Sequence, residues 1–363
     1  MASNNANNTT VAIGNATTWG TAVDLASVGV GKLIYCTSLS ITGGYETVQP
    51  NDAGFGNAIT ELARTKASFE ISITCDLSYH GQWLQPLASF LGAASTPTEQ
   101  TVGQGDYLHN LDLTSSGTYS EGKLQTLCFA IESDKIAEIP TVIWTSASIN
   151  MEAAGVGTVT LTGIGSNLLY DTDATNVFAT FASLTAPTYQ TSVFCGANHY
   201  VRLDDYSTTT ALTNADDKEI LNFNIELSRP LEAIYVSRGA LTNFPNKPRQ
   251  AGVTTGTFSV QLAEIDSSKY NFLTKWKNRT RQMAEIFVDG AQIGTGVNTS
   301  IKIQLPYMQM DELPETGFSG NTDLRQPTLN FTLIKPATAP SGMSGVTNYC
   351  RFAVITERAT AYA

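Results

Sequence analysis

Apolar and polar side chains alternate one by one through six stretches of this chain: Leu39–Thr42, Phe69–Cys75, Phe223–Leu227, Phe258–Leu262, Ile301–Leu305 and Leu329–Leu333. A period of two puts every second side chain on one face of an extended strand, so each stretch reads as a β-strand with one buried and one wet face. Two other stretches follow a helical period. Between Tyr79 and Leu91, the residues Trp83, Leu84, Leu87 and Leu91 share a side; between Ser267 and Trp276, Tyr270, Leu273 and Trp276 do the same. The pattern predicts a mainly β protein with two short flanking helices.

These elements recur in one order: strand, long loop, strand, short helix, strand and hairpin. An offset of 189 lays Phe69 on Phe258, Ile71 on Val260 and Ile73 on Leu262, and lays Trp83, Leu84 and Leu87 on Phe272, Leu273 and Trp276. Identity is poor, and Cys75–Leu77 does not match Glu264–Asp266. A shared apolar pattern at one gapless offset nevertheless predicts two copies of one fold. The division expected is an N-terminal arm over 1–30, a first domain over 31–186, a second over 187–336, and a linker with a C-terminal strand over 337–363. The copies differ in their loops. The first carries a polar insertion, Ser95 to Gly122; the second has a longer connection between its first strands, Arg229 to Thr254, holding Arg229, Arg238, Lys247 and Arg249.

One residue fits none of these periods. Trp19 stands among small and polar neighbours in Ala12–Leu25 (AIGNATTWGTAVDL), on what reads as an extended arm, and needs a surface to pack on. The composition bears on where that surface lies. Only 15% of residues are charged, against about a quarter in ordinary soluble domains. A surface poor in charge and rich in Thr, Ser, Asn and Gly suits a chain largely covered by partners. Residues 1–186 carry the whole net charge of −11, while 187–363 balance to zero. Either the two surfaces have drifted apart, or each copy faces a different environment or mates with the other kind.

Conventional reactive chemistry is hard to find. His80, His109 and His199 are few and scattered, and Gly29–Ile34 lacks the spacing of a phosphate-binding loop. The glycines from Gly155 to Gly165 sit between alternating strands and read as turns or bulges. Asp204–Asp205 and Asp216–Asp217 flank a Ser/Thr-rich loop and read as solvated pairs. Five dispersed cysteines without a CxxC motif read as reduced thiols. The expectation is a protein without enzymatic activity, metal or cofactor. No apolar run of about 20 residues predicts a membrane span, and MASNNANNTT lacks the regions of a secretory signal. A pI near 4.7 has the wrong sign for gripping phosphates. The cations Lys269, Lys275, Lys277, Arg279 and Arg281 around the second helix read either as a solvated helix end or as a partner patch.

The segment Asn15–Val23 (NATTWGTAV) is similar to the ETTYGTAV-type opening of tail tube, or major tail, proteins of long-tailed bacteriophages, with Asn15-Ala16 where Gly or Glu is commoner and Trp19 where Tyr is commoner. The Leu39 strand, long loop, Phe69 strand and Trp83–Leu91 helix follow that family's order. The resemblance implies β-sandwich or barrel-like domains, each flanked by one helix, closing six to a ring around a hollow lumen. With two tandem domains per chain, three chains make a pseudo-hexameric ring, and stacked rings make a non-contractile tube that delivers DNA to the host.

Implied partners are further copies of the chain, other tail proteins at the tube ends, and viral DNA in transit without specific binding or membrane insertion. The implied location is the virion, assembled in the bacterial cytoplasm. Trp19 is then expected as an anchor on a neighbouring subunit, the alternative being that it folds back on its own first domain. Inter-ring contacts are expected from Glu46, Phe55 and Arg64 in the loop Gly44–Lys66, and from Arg229, Arg238, Phe244 and Arg249 in the other. Glu70 and Glu226 are expected to line the lumen. A surface adhesin or carbohydrate-binding module is the alternative of another class; a secretion signal and an exposed aromatic platform would mark it.

Overall fold

The computed structural model describes residues 9–27, 31–48, 63–79, 81–114, 121–132, 134–184, 193–196, 199–235, 244–264, 270–294, 296–314 and 326–362. The first half contains β1 (Thr9–Ala16), β2 (Lys32–Cys36), β3 (Ser38–Val48), β4 (Ala63–Asp76), α1 (Leu84–Leu91), β5 (Gly92–Ala94), β6 (Thr98–Glu99), β7 (Tyr107–Leu113), β8 (Leu124–Ala130), β9 (Ile136–Glu152), β10 (Thr158–Gly165), β11 (Leu169–Tyr170) and α2 (Phe178–Ser183). The second contains β12 (His199–Asp205), β13 (Asp217–Lys218), β14 (Ile220–Ser228), β15 (Leu231–Ile234), β16 (Asn246–Gln250), β17 (Thr255–Leu262), α3 (Phe272–Lys277), β18 (Arg281–Gly294), β19 (Val297–Met310), β20 (Thr328–Leu333) and β21 (Arg351–Thr356). The protein is mainly β, as the alternating pattern requires.

Seven strands make one antiparallel sheet in the order β3–β4–β10–β9–β14–β17–β20. It passes from the first half to the second at β9–β14, where Met151, Ile149 and Ala147 face Phe223, Ile225 and Leu227. A second layer is formed by β2–β1–β8–β9 in the first half and by β13–β12–β18–β19–β21–β7 across both halves. Both β9 and β19 run through the two layers. β9 lies against β8 up to Val142, then continues against β10 and β14.

Between the layers runs one core shared by the two halves, with Ile71, Ile73, Leu161 and Ile149 on one side of the junction and Ile225, Phe258, Val260 and Phe331 on the other. Phe258 and Phe331 are cross-strand partners whose rings stack at 5.8 Å. Fully burying one such side chain contributes about 1.5–3 kcal/mol. The pairings recur: β1–β8 with β12–β18, β3–β4 with β14–β17, β4–β10 with β17–β20, β8–β9 with β18–β19, and β9–β10 with β19–β20.

Several elements differ from the sequence expectation. Thr9–Ala16, expected in an arm, form β1 between β2 and β8, with Val11, Ala12 and Ile13 buried. The apolar–polar alternation is lost there because this strand is covered on both faces. α1 starts at Leu84 and stops where Gly92 takes the left-handed conformation (φ +85°), which glycine adopts without steric cost. α2 has no counterpart in the sequence pattern; its six residues offer too little periodicity, and Phe178 and Phe181 pack on the small cluster of Ala12, Leu25, Leu33, Cys128 and Ile136. The C-terminal strand finds its place as β21, inserted between β19 of the second half and β7 of the first. Arg351 there makes a two-pronged ion pair with Asp112, at 2.8 and 3.0 Å.

Candidate assembly surfaces

Alternation along the seven-stranded sheet turns one set of side chains into the core and the other outward. The outward set is mostly hydroxyl and amide, with Lys66 and the carboxylates of Glu46, Glu70, Asp76, Glu152 and Glu226 among it. Ser40 faces Ser72, Thr74 faces Thr160, Ser148 faces Glu226, and Glu226 faces Thr257 across successive strand pairs. These groups bond one another: Thr74 to Thr160 at 3.0 Å, Ser148 to Asn224 at 3.1 Å, and the Asn222 amide donating to Gln261 at 2.7 Å. Glu70 and Glu226, expected on a lumen wall, are both exposed on this face. Glu70 lies between Thr42 and Ile164, and the Glu226 carboxylate accepts from the Asn224 amide at 2.9 Å. At the sheet's margin, β3 pairs with β4 alone among the described residues. An eleven-residue strand at the margin of a sheet is a place where a further strand can pair.

At one end of the face the chain's loops converge. The stretch after β1 is pinned by side chains of β8, β9 and the segment before α2: Gly20 N–H to Thr141 Oγ1 at 2.8 Å, Val23 N–H to Thr126 Oγ1 at 3.0 Å, and Leu25 N–H to Asn176 Oδ1 at 2.9 Å. Asn176 is held in turn by the buried Glu138, whose Oε2 accepts its side-chain amide at 2.7 Å. This brings Trp19 over Ala16, Leu124 and Ile143, beside Ile164 and Leu231. Its indole N–H donates to the Pro245 carbonyl at 2.9 Å, and the side chain is half-buried. The indole thus joins the start of the chain to the β15–β16 hairpin of the second half.

Phe244 packs on Tyr45 with ring centres 6.1 Å apart, and the Tyr235 hydroxyl donates to the Ala67 carbonyl at 2.9 Å. Glu46 pairs with Lys66 at 3.0 Å, both well exposed. Arg249 is exposed opposite Glu232 across β15–β16. The two long connections therefore meet at their bases. Phe55, Arg238 and the Arg64 side chain lie outside the described residues. Sequence reading missed Tyr45 and Tyr235, which have no periodic partners; only their presence in long loops marked them.

Arg229 has a different setting from the surface loop position expected for it. It is fully buried, its Nη2 donating to the carbonyls of Leu91 at the end of α1 and of Thr114, at 3.3 and 2.9 Å, with its guanidinium 5.3 Å from the Phe90 ring. Carbonyls at a helix C-terminus carry partial negative charge and suit a cation. Burial lowers its pKa to about 10, against the opposing pull of Glu121, so it stays charged at neutral pH. Nε and Nη1 have no partner among the described residues.

Other candidate chemistry is taken up within the chain. Lys275 bridges Asp204 and Asp205, at 3.2 and 2.5 Å, and Arg202 pairs with Asp217 at 3.0 Å. Cys36 and Cys75 are buried free thiols 3.4 Å apart. His109 is buried with its ring edge-on to Tyr362 and its Nε2 hydrogen-bonded to the Arg358 carbonyl at 2.9 Å. Among the described residues no group of His, Cys, Asp and Glu has the arrangement to hold a metal ion, and no helix is long and apolar enough to cross a membrane.

Fold and surface together define a two-layered β protein built around a broad polar sheet face with a long strand at its margin. The phage tail tube protein family model matches residues 6–333, and the chain belongs to that family, as a structural protein of the virion tail. A comparison with curated proteins returns no match.

Proposed function

We propose that three copies of this chain, each holding two tandem units over 31–186 and 187–336, close into a pseudo-hexameric ring, and that rings stack into the hollow tail tube through which DNA leaves the virion. The observation that carries this reading is the seven-stranded sheet spanning both halves with one hydroxyl- and amide-lined face. Such a face is wet, its carboxylates outnumber its cations, and several of its hydroxyls and amides bond one another. A ring built from it places Glu70 and Glu226 on the lumen wall. Phosphates meet carboxylates there, repelled within about 8–10 Å at physiological salt, and DNA slides without specific binding.

The expected loop Gly44–Lys66 is shortened at both ends by β3 and β4, and Arg229–Thr254 carries β15 and β16; the β3–β4 connection and this second stretch, joined at their bases by Tyr45 and Phe244, make the ring-to-ring contacts in this reading. Phe55, Arg64, Arg238, Phe244 and Arg249 supply their contacting side chains. Trp19 sets the angle of the second loop from its base and keeps a partly open face for the adjacent subunit. Other tail proteins cap the tube ends. Negative-stain electron microscopy of the purified chain across a concentration series tests the proposal. Hollow tubes with a regular ring repeat and threefold or sixfold end views are expected; compact monomers at every concentration overturn it.

A further inference from the structure

The two flanking helices differ in cover. All eight residues of α1 are buried, whereas in α3 only Phe272 is, and Leu273 is 45% exposed. Part of the cover on α1 comes from the second half. Where β14 ends, Arg229 bonds its backbone N–H to the Thr145 carbonyl and sends its side chain to the end of α1. The corresponding place beside α3 is an open cleft of about 440 Å³ lined by Trp276, Lys277, Arg279, Gln309, Met310 and Asp311.

The registers fix that correspondence. Phe69 lies opposite Gly43 and Gly165, and Phe258 lies opposite Ile225 and Phe331. Gly43 thus matches Ile225, and counting on along each strand Glu46 and Thr47 match Ser228 and Arg229. Val142 opposite Gly165 likewise matches Met310 opposite Phe331. The cleft at Met310 therefore stands where the end of the following unit's first strand docks in the other half. Among the described residues no strand end fills it.

A second observation marks the same cleft. The left-handed position after α1 is Gly92, but after α3 it is Arg279, at φ +52°. A residue with a Cβ is strained there. Lys277 and Arg279 are exposed, and no ion pair to either appears among the described residues.

We infer that this cleft beside α3 receives the Glu46–Thr47 end of β3 from a second copy of the chain, with Glu46 set against Arg279 and Lys277. The marginal strand β3 and the largely exposed α3 then become two sides of one junction. Its polarity is reversed relative to the internal one: inside the chain a cation of the second half enters the acidic first half, while between chains an anion of the first half meets cations of the second.

The inference rests on the ring reading, and charge reversal separates the two. At low ionic strength Arg279→Glu and Glu46→Arg are each expected to raise the concentration for half-assembly about tenfold or more; melting of the dilute chain is expected unchanged for Arg279→Glu and only slightly lower for Glu46→Arg, which also loses its exposed pair with Lys66. The double variant is expected to recover most of that loss, and high salt to narrow the differences. Arg279→Gly is expected to raise the melting temperature while weakening assembly. Single variants that assemble as wild type, or a double variant no better than the singles, overturn the contact while leaving the ring intact. A wild-type chain that forms no rings removes the ring reading itself.

Discussion

Replacing Trp19 by alanine separates a residue that serves its own chain from one that serves only a neighbour. The half-buried indole lies on Ala16, Leu124 and Ile143 and donates one hydrogen bond to Pro245. Removing on the order of 100 Å² of buried apolar surface costs about 2.5 kcal/mol, and the lost hydrogen bond adds about 1 kcal/mol. At roughly 2.1 cal/mol/K per residue, a chain of 363 residues unfolding as one unit loses about 4–5 °C for that sum. Trp19→Phe keeps most of the ring and loses the hydrogen bond, so its melting point falls by only about 1–2 °C. The assay is thermal unfolding of dilute protein, below the concentration at which any assembly forms. A Trp19→Ala chain melting within a degree of wild type refutes the intrachain packing argued from the geometry. Lost assembly with unchanged melting would place the indole's work at a subunit contact alone.

Arg229→Met is expected to stay within about 1.5 kcal/mol of wild type in chemical denaturation, because it removes a buried charge while keeping much of the side-chain volume. Arg229→Ala, which leaves a void between the halves, is expected to lose about 3 kcal/mol. Burial lowers the His109 pKa to about 4, below its ordinary value near 6.5. The unfolded chain therefore binds a proton between those values that the folded chain refuses, so this residue's contribution to stability is complete above about pH 6.5 and falls as pH drops toward 4. Melting curves of wild type and His109→Gln across that window are expected to converge as the pH falls, and a constant difference would contradict the assignment.

Much of the fold is legible in the sequence because a half-buried strand writes itself as alternation. β4, β14, β17 and β20 all carry that signature, and the registers of Phe69 and Phe258 follow the offset at which their apolar patterns match. β1 is silent because Val11, Ala12 and Ile13 are covered together, which erases the period. β21 is visible as a strand but not as a partner, since its neighbours β7 and β19 are far away in the chain and pairing leaves no local mark. The assembly surface is legible only in part. A lone tryptophan and two long loops point to one end of the molecule, and their meeting through Tyr45, Phe244 and Pro245 depends on how the halves sit together. Arg229 reads as an ordinary loop cation because sequence gives no sign that the end of α1 lies beside it. The contrast between a covered α1 and an open α3 is likewise a property of what the rest of the chain supplies.

The position of β21 has a consequence for the life of the polypeptide. β7, made early in synthesis, waits for a partner strand that begins at Arg351, and Arg351 closes an ion pair across 239 positions of chain. Pairings of such long range form slowly and late. Closing of the layer that joins both halves therefore waits until Arg351–Thr356 has been made. A chain cut short before Arg351 lacks that stitch, and β7 and β19 are left without the strand that joins them.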